Sequence, residues 1–226
     1  MPDQSPYNYA FNNPVFWIDP DGRDIWKLEQ NGTFVHVAED DTKDIIYSTN
    51  ANGNITDSSN MIELEYGSIK GEFKTKNTVG INVANEDVSL KIFTFAADML
   101  DGNNGNGIEM GTVTAFNENG ESKSVVVTSK SNESVGVPEV ALSLIKEGYD
   151  FEIFTEHSHP GNTDSSKVPS GYYNNGTRNP SKNLGGDGEA SETMNSQTTN
   201  GGLHIMYHPQ SGQKTIFNEK GYYRVN

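Results

Sequence analysis

Hydrophobic positions in this chain recur with two periods, and the change from one to the other falls near residue 85. Between residues 24 and 82 apolar residues alternate or gather in short runs: Ile25-Trp26-Lys27-Leu28, Thr33-Phe34-Val35-His36-Val37, Ile45-Ile46-Tyr47-Ser48 and Ile62-Glu63-Leu64-Glu65-Tyr66. β-Branched and aromatic runs of this length predict strands. Asn31-Gly32 and Asn52-Gly53-Asn54 punctuate them, and Asn-Gly between alternating runs is the strongest short-range hairpin signal. After Asn85 the period becomes helical. Asn85 predicts an N-cap, with Glu86 and Asp87 in the first turn, where the helix dipole favours acids. Val88, Ile92, Phe95, Ala96 and Met99 form the apolar stripe, and Gly102 stands beyond the end.

Residues 108–116 then predict a strand, which Glu118-Asn119-Gly120 turns into a second around Val125-Val126-Val127. Val137-Pro138 opens another helix, with proline in its first turn and Val140, Ala141, Leu144 and Ile145 facing inward. Phe151-Glu152-Ile153-Phe154-Thr155 reads as a strand that leads directly into Glu156-His157-Ser158-His159-Pro160. A long Gly/Asn/Ser/Pro-rich loop, Gly161 to Gly186, follows, and loops of this length are usually functional or disordered. Asp187 to Gln197 predicts a short helix, and Leu203 to Tyr207 pairs with Thr215-Ile216-Phe217 in a closing hairpin. The pattern predicts an α+β fold, preceded by a small β-hairpin-rich region over residues 23–84.

Composition narrows the chemistry. Lys+Arg is 16 against 31 Asp+Glu, a net charge of −15. Such a field repels phosphate backbones, which argues against nucleic acid as a partner and favours a protein or peptide substrate. Cysteine is absent, so neither disulfides nor thiolate zinc sites are available and any metal must use His, Asp or Glu. No apolar run approaches the length of a membrane span, and the N-terminus lacks a signal-peptide core.

The chemistry centres on His157 and His159. Side chains of a strand alternate faces, so residues two apart point the same way, and Pro160 ends the strand. Two imidazoles on one face form half of a zinc site that needs a third protein ligand and leaves a fourth position for water. Glu156 points to the opposite face and receives no role. His36, within an alternating strand, and His204 and His208, near the closing hairpin, are read as structural.

Two stretches resemble known families. Ser5 to Gly22, with Tyr7-Asn8-Tyr9, Asn12-Asn13-Pro14 and Asp19-Pro20-Asp21-Gly22, resembles the closing segment of the RHS-repeat-associated core. That resemblance implies that residues 1–22 end a much longer shell-forming protein, whose variable C-terminal segment is a toxin. It further implies delivery as a secreted effector that acts in the target-cell cytoplasm, and a cognate immunity protein. Residues 85–226, in the order helix, strand with Glu, hairpin strand, helix, strand with His-x-His-Pro, loop, Asp at a helix start, resemble the JAB/JAMM metalloisopeptidases. Among these they look most like the JAB-like toxins attached to RHS proteins.

The second resemblance implies a mixed sheet flanked by helices and a zinc cofactor. His157, His159 and Asp187 would be the metal ligands, with Glu109, in Ile-Glu-Met-Gly, as general base. Asp164, five residues after His159, is the alternative third ligand. The family places a serine three residues before the aspartate, but Leu184 stands there. Ser181 is assigned to the oxyanion, and Ser170, in Val-Pro-Ser-Gly, is another candidate. The reaction implied is zinc-dependent hydrolysis of a peptide or isopeptide bond. An inactive JAMM-like binding module and a metal-dependent nuclease are the rival readings.

Overall fold

The computed structural model describes residues 24–38, 43–55, 57–102, 107–179 and 186–225, apart from the side chains of residues 164 and 165. The segment resembling an RHS core lies outside the described residues. Two sheets carry the fold. A four-stranded sheet is built from β1 (Asp24–Leu28), β2 (Phe34–Ala38), β3 (Lys43–Ser48) and β4 (Met61–Glu65), in the order β2-β1-β3-β4. The Asn31-Gly32 turn joins β1 to β2 antiparallel, and the stretch through Asn52-Gly53 joins β3 to β4 antiparallel. β1 and β3 run parallel, which a simple series of hairpins would not give.

The larger sheet has eight strands. Before α1 (Glu86–Met99) come β5 (Ile69–Lys74) and β6 (Val79–Val83); after it come β7 (Gly111–Phe116) and β8 (Ser122–Thr128). Then follow α2 (Val137–Lys146), β9 (Glu152–Ser158), α3 (Asp187–Asn195), β10 (Gly202–His208), β11 (Gln213–Asn218) and β12 (Gly221–Val225). The order is β12-β11-β10-β9-β7-β8-β6-β5, with β9 and β10 parallel and the other pairs antiparallel. The protein is therefore α+β, with mixed sheets flanked by three helices. β5 and β6 precede residue 85 yet pair into this sheet, so the division expected at residues 84/85 runs through one hydrogen-bonded unit.

The helices divide between the two faces of the large sheet. On one face, Ile92, Phe93, Ala96, Ala97 and Leu100 of α1 and the residues after it pack with Val126, Ile81 and Met110, and with Trp26, Leu28, Phe34 and Ile46 of the small sheet. α1 is thus covered by both sheets, and its buried arc is displaced from the expected stripe. Ser89 and Phe93 are buried, whereas Met99 is exposed. Asn85 caps it, its side chain accepting the Val88 amide. On the other face, Val137, Val140, Ala141 and Leu144 of α2 and Met194 of α3 pack on Val113, Ala115, Val125, Val127 and Ile153. Each fully buried aliphatic here contributes about 1.5–3 kcal/mol of transfer free energy.

Candidate metal centre

β9 takes in His157 and ends at Ser158, two residues short of the proline expected to end it. Side chains at 153, 155 and 157 therefore share the α2/α3 face, and His159 follows one residue past the strand end. His159 N–H donates to the Tyr207 carbonyl (2.9 Å), which keeps the chain on the sheet until Pro160 turns it away. His157 Nε2 and His159 Nε2 lie 3.2 Å apart. Phe217 packs edge-on against His157 at 5.7 Å between centroids, fixing the ring on one side.

The third member comes from α3. Gly186, with φ 106°, turns the chain into the helix, and Asp187 is its first residue, where the dipole favours a carboxylate. Asp187 Oδ1 is 3.2 Å from His157 Nε2 and Oδ2 is 3.4 Å from His159 Nε2. Burial pushes the Asp187 carboxyl up, but the two imidazoles together outweigh it and hold the group well below the usual carboxylate range. Two imidazole nitrogens and a carboxylate oxygen, all within 4.8 Å of one another, make a donor set that suits a divalent metal with borderline-soft preferences such as zinc. No thiolate is present to compete.

Ser170 reaches the same spot despite standing 17 residues before Asp187. Its amide donates to Asp187 Oδ2 (2.6 Å), and its hydroxyl oxygen accepts the Asp187 amide (3.0 Å). Ser170, one of the two serines considered from the sequence, is thus bonded to Asp187 across the long loop. Ser181 lies outside the described residues. Asp164 begins a one-turn 3-10 helix, Asp164–Lys167, and its side chain is likewise outside them.

Glu109 sits two residues before β7, not within a strand as the sequence pattern suggested. Its backbone is nonetheless held on both sides. Its N–H donates to the Ser131 carbonyl (2.8 Å), and its carbonyl accepts the Thr128 hydroxyl (2.8 Å). The next amide, Met110, donates to Ser158 Oγ (3.0 Å), and Ser158 N–H returns a bond to the Met110 carbonyl (2.9 Å). Gly111, paired with His157, has no room for a side chain, because a Cβ would stand 2.4 Å from Val137 Cγ2. Glu109 is 8% exposed. Burial raises it to about 7; His159 opposes that rise, and Asp187 and Glu133 add to it.

His157, His159, Asp187, Glu109 and Ser170 all line one cleft of about 940 Å³, whose far wall includes Thr78, Glu133 and Glu139. The remaining histidines stand apart from the triad. His36 is 3.5 Å from Asp24 and packs on Trp26. His204 is fully buried. Its Nδ1 accepts the Thr155 hydroxyl (2.8 Å) and its Nε2–H donates to Asn195 Oδ1 (3.0 Å), while burial lowers it to about 4. His208 Nε2–H donates to the Gly161 carbonyl (2.9 Å), tying down the loop after His159. Glu156, on the opposite face, pairs with Lys214 at 2.9 Å. Sequence reasoning missed Thr128, which holds the Glu109 carbonyl, and Ser158, which holds the backbone of neighbouring Met110. Strand parity of Ser158 was the one available signal; Thr128 carries none.

Residues 81–192 match the family described as JAB-like toxin 1. The match runs from within β6 to within α3, including the triad and Glu109, and the α+β architecture is consistent with a JAB-like fold. It supports a toxin with a JAB-like domain over that stretch. Neither the curated proteins nor the solved structures give a match to the chain. No helix among the described residues is long and apolar enough to cross a membrane.

Proposed function

We propose that the chain is a zinc-dependent peptidase or isopeptidase that acts as the C-terminal toxin of an RHS-type polymorphic toxin. The observation that carries this reading is the approach of His157, His159 and Asp187 to within 3.2–3.4 Å, in the same cleft as a buried glutamate that binds none of them. The three side chains would hold zinc, which when bound supplies a Lewis acid that makes water more acidic and polarises a scissile carbonyl.

The chain's own residues account for the rest. Burial raises Glu109 to about 7 in the metal-free site, and a cation held by the triad would draw it back down, leaving a carboxylate able to act as general base near neutral pH. It takes a proton from the attacking water and delivers it to the leaving amine. Ser170 already accepts the Asp187 amide through its oxygen, which leaves its hydroxyl proton free to donate to a developing oxyanion. The Ser170–Asp187 pairing also weakens the rival reading of an inactive binding module, which rested on a displaced serine. Acidic lining at Glu133 and Glu139 and the net charge of −15 oppose a nuclease, because phosphate would be repelled. In a toxin of this kind the substrate is a protein of the target cell, entered through the RHS shell, and an immunity protein protects the producer.

The test joins metal analysis of protein purified without added zinc to hydrolysis of labelled casein. One zinc per chain and chelator-sensitive hydrolysis are expected. Zinc without hydrolysis would favour the binding module, and absence of both would overturn the reading.

A further inference from the structure

The small N-terminal sheet lies outside residues 81–192, yet its first turn reaches the segment that carries Glu109. A Cβ at Gly32 would stand 2.8 Å from Thr128 Cγ2, 3.2 Å from Ile108 Cγ2 and 3.3 Å from Met110 Sδ. Ile108 and Met110 flank Glu109, and Met110 belongs to the core shared with Leu28 and Phe34. Extended backbone sends neighbouring side chains to opposite sides. The turn therefore presses on the reverse side of the very residues between which Glu109 projects into the cleft. Thr128, the closest atom's owner, is also the residue whose hydroxyl holds the Glu109 carbonyl (2.8 Å).

We propose that the Asn31-Gly32 turn is a positioning element for Glu109, so that the functional unit extends from the JAB-like domain into the four-stranded sheet. Residues 107–110 form no strand of their own, and these contacts act beside the hydrogen bonds from Ser131, Thr128 and Ser158 that hold their backbone. Gly32 has φ 84°, and glycine meets both demands of the site, a left-handed backbone and a close approach. The inference rests on the peptidase reading for its consequence in catalysis, but the contact can be tested without it.

The experiment uses the full chain, loaded with zinc. Gly32→Ala is compared with Gly53→Ala, which has the same left-handed backbone (φ 73°) in the same sheet but no atom within 4 Å of its Cβ. Gly32→Ala should raise amide exchange across residues 108–111. It should lower kcat on labelled casein by about 10- to 100-fold, the scale of a small misplacement, with KM and zinc content unchanged. Gly53→Ala should behave as the parent. Adding Thr128→Ser to Gly32→Ala removes the methyl that the new Cβ meets, keeps the hydroxyl bond to Glu109, and should restore both readouts. Gly32→Asn, a residue that tolerates positive φ, replaces Gly32→Ala if that variant unfolds. Unchanged exchange in Gly32→Ala, equal effects in Gly53→Ala, raised exchange without loss of kcat, or no rescue by Thr128→Ser would each overturn the proposal. If the parent hydrolyses nothing, the peptidase reading fails, and exchange at 108–111 alone decides whether the turn holds this segment.

Discussion

On the α1 face of the large sheet Glu156 is fully buried and bonded to Lys214, while across the sheet Glu109 is buried at the edge of a cleft. Among the described residues no lysine or arginine pairs with Glu109. Burial raises both carboxyls above their ordinary value. For Glu156 the Lys214 ammonium opposes the rise directly. For Glu109 only the His159 imidazole opposes it, and two acids reinforce it. One glutamate is therefore part of the packing, and the other is left with a high proton affinity facing solvent space. A buried carboxyl at a cleft, raised and without a cation to offset it, is the environment in which reactive acids are found.

Removing a member of the triad should break the contrast most completely. His157→Ala or His159→Ala should abolish zinc binding, and Asp187→Ala should reduce it strongly, because two ligands do not hold the ion. His36→Ala and His204→Ala should keep it. Metal analysis after dialysis decides; full zinc in either His157 or His159 variant would end the assignment.

Next comes Glu109→Gln, which preserves shape and hydrogen-bonding capacity but cannot accept a proton. Hydrolysis should fall by roughly 100- to 10,000-fold, the range of a positioned acid–base group, while zinc content stays at the parent level. Loss of zinc along with activity would make Glu109 a ligand instead. If the domain is toxic, cells expressing this variant should survive.

The opposite face should answer with stability, not rate. Lys214→Met leaves the buried Glu156 without its cation; the Lys214 side chain is 39% exposed, so the loss falls below the roughly 3–5 kcal/mol of a fully buried pair. Urea unfolding at neutral pH should show the loss, and the surviving folded protein should hydrolyse casein within a few-fold of the parent. A large fall in kcat without destabilisation would mean that Glu156 has a part in the chemistry.

Much of this was legible in the residues. The period change at Asn85, the Asn-Gly turns and the His-x-His-Pro strand end are local signals, and each appears in the fold as a local structure. What sequence could not supply was long-range. The parallel pairing of β1 with β3, the second cover over α1 and the joining of β5 and β6 to the large sheet depend on which surfaces meet. The same holds for Ser170, brought to Asp187 across a long insertion, and for Thr128, whose hydroxyl reaches a carbonyl 19 residues earlier. Spacing rules assume a short path between partners, and here the path is long.

The smallest effect tests the proton affinity of Glu109 itself. Its ordinary value is 4.5 and its folded value about 7, so between those values the folded protein binds more protons than the unfolded chain. Stability due to this group is present at low pH and is lost as pH rises through the window. Glu109→Gln has no such proton. In metal-free protein the variant's advantage over the parent should therefore be small at pH 4.5 and grow above pH 7 toward a limit of about 3.4 kcal/mol, at 1.36 kcal/mol per unit. His204, lowered to about 4 by burial, titrates in part of the same range with the opposite slope, because its contribution is lost as pH falls. It is common to both proteins and cancels in the difference. Asp187, held low, acts below the window. Urea midpoints at four pH values between 4.5 and 7.5, with chelator present, give the curve. An advantage that does not change with pH would mean that burial does not hold the Glu109 proton, and the contrast with Glu156 would lose its physical basis.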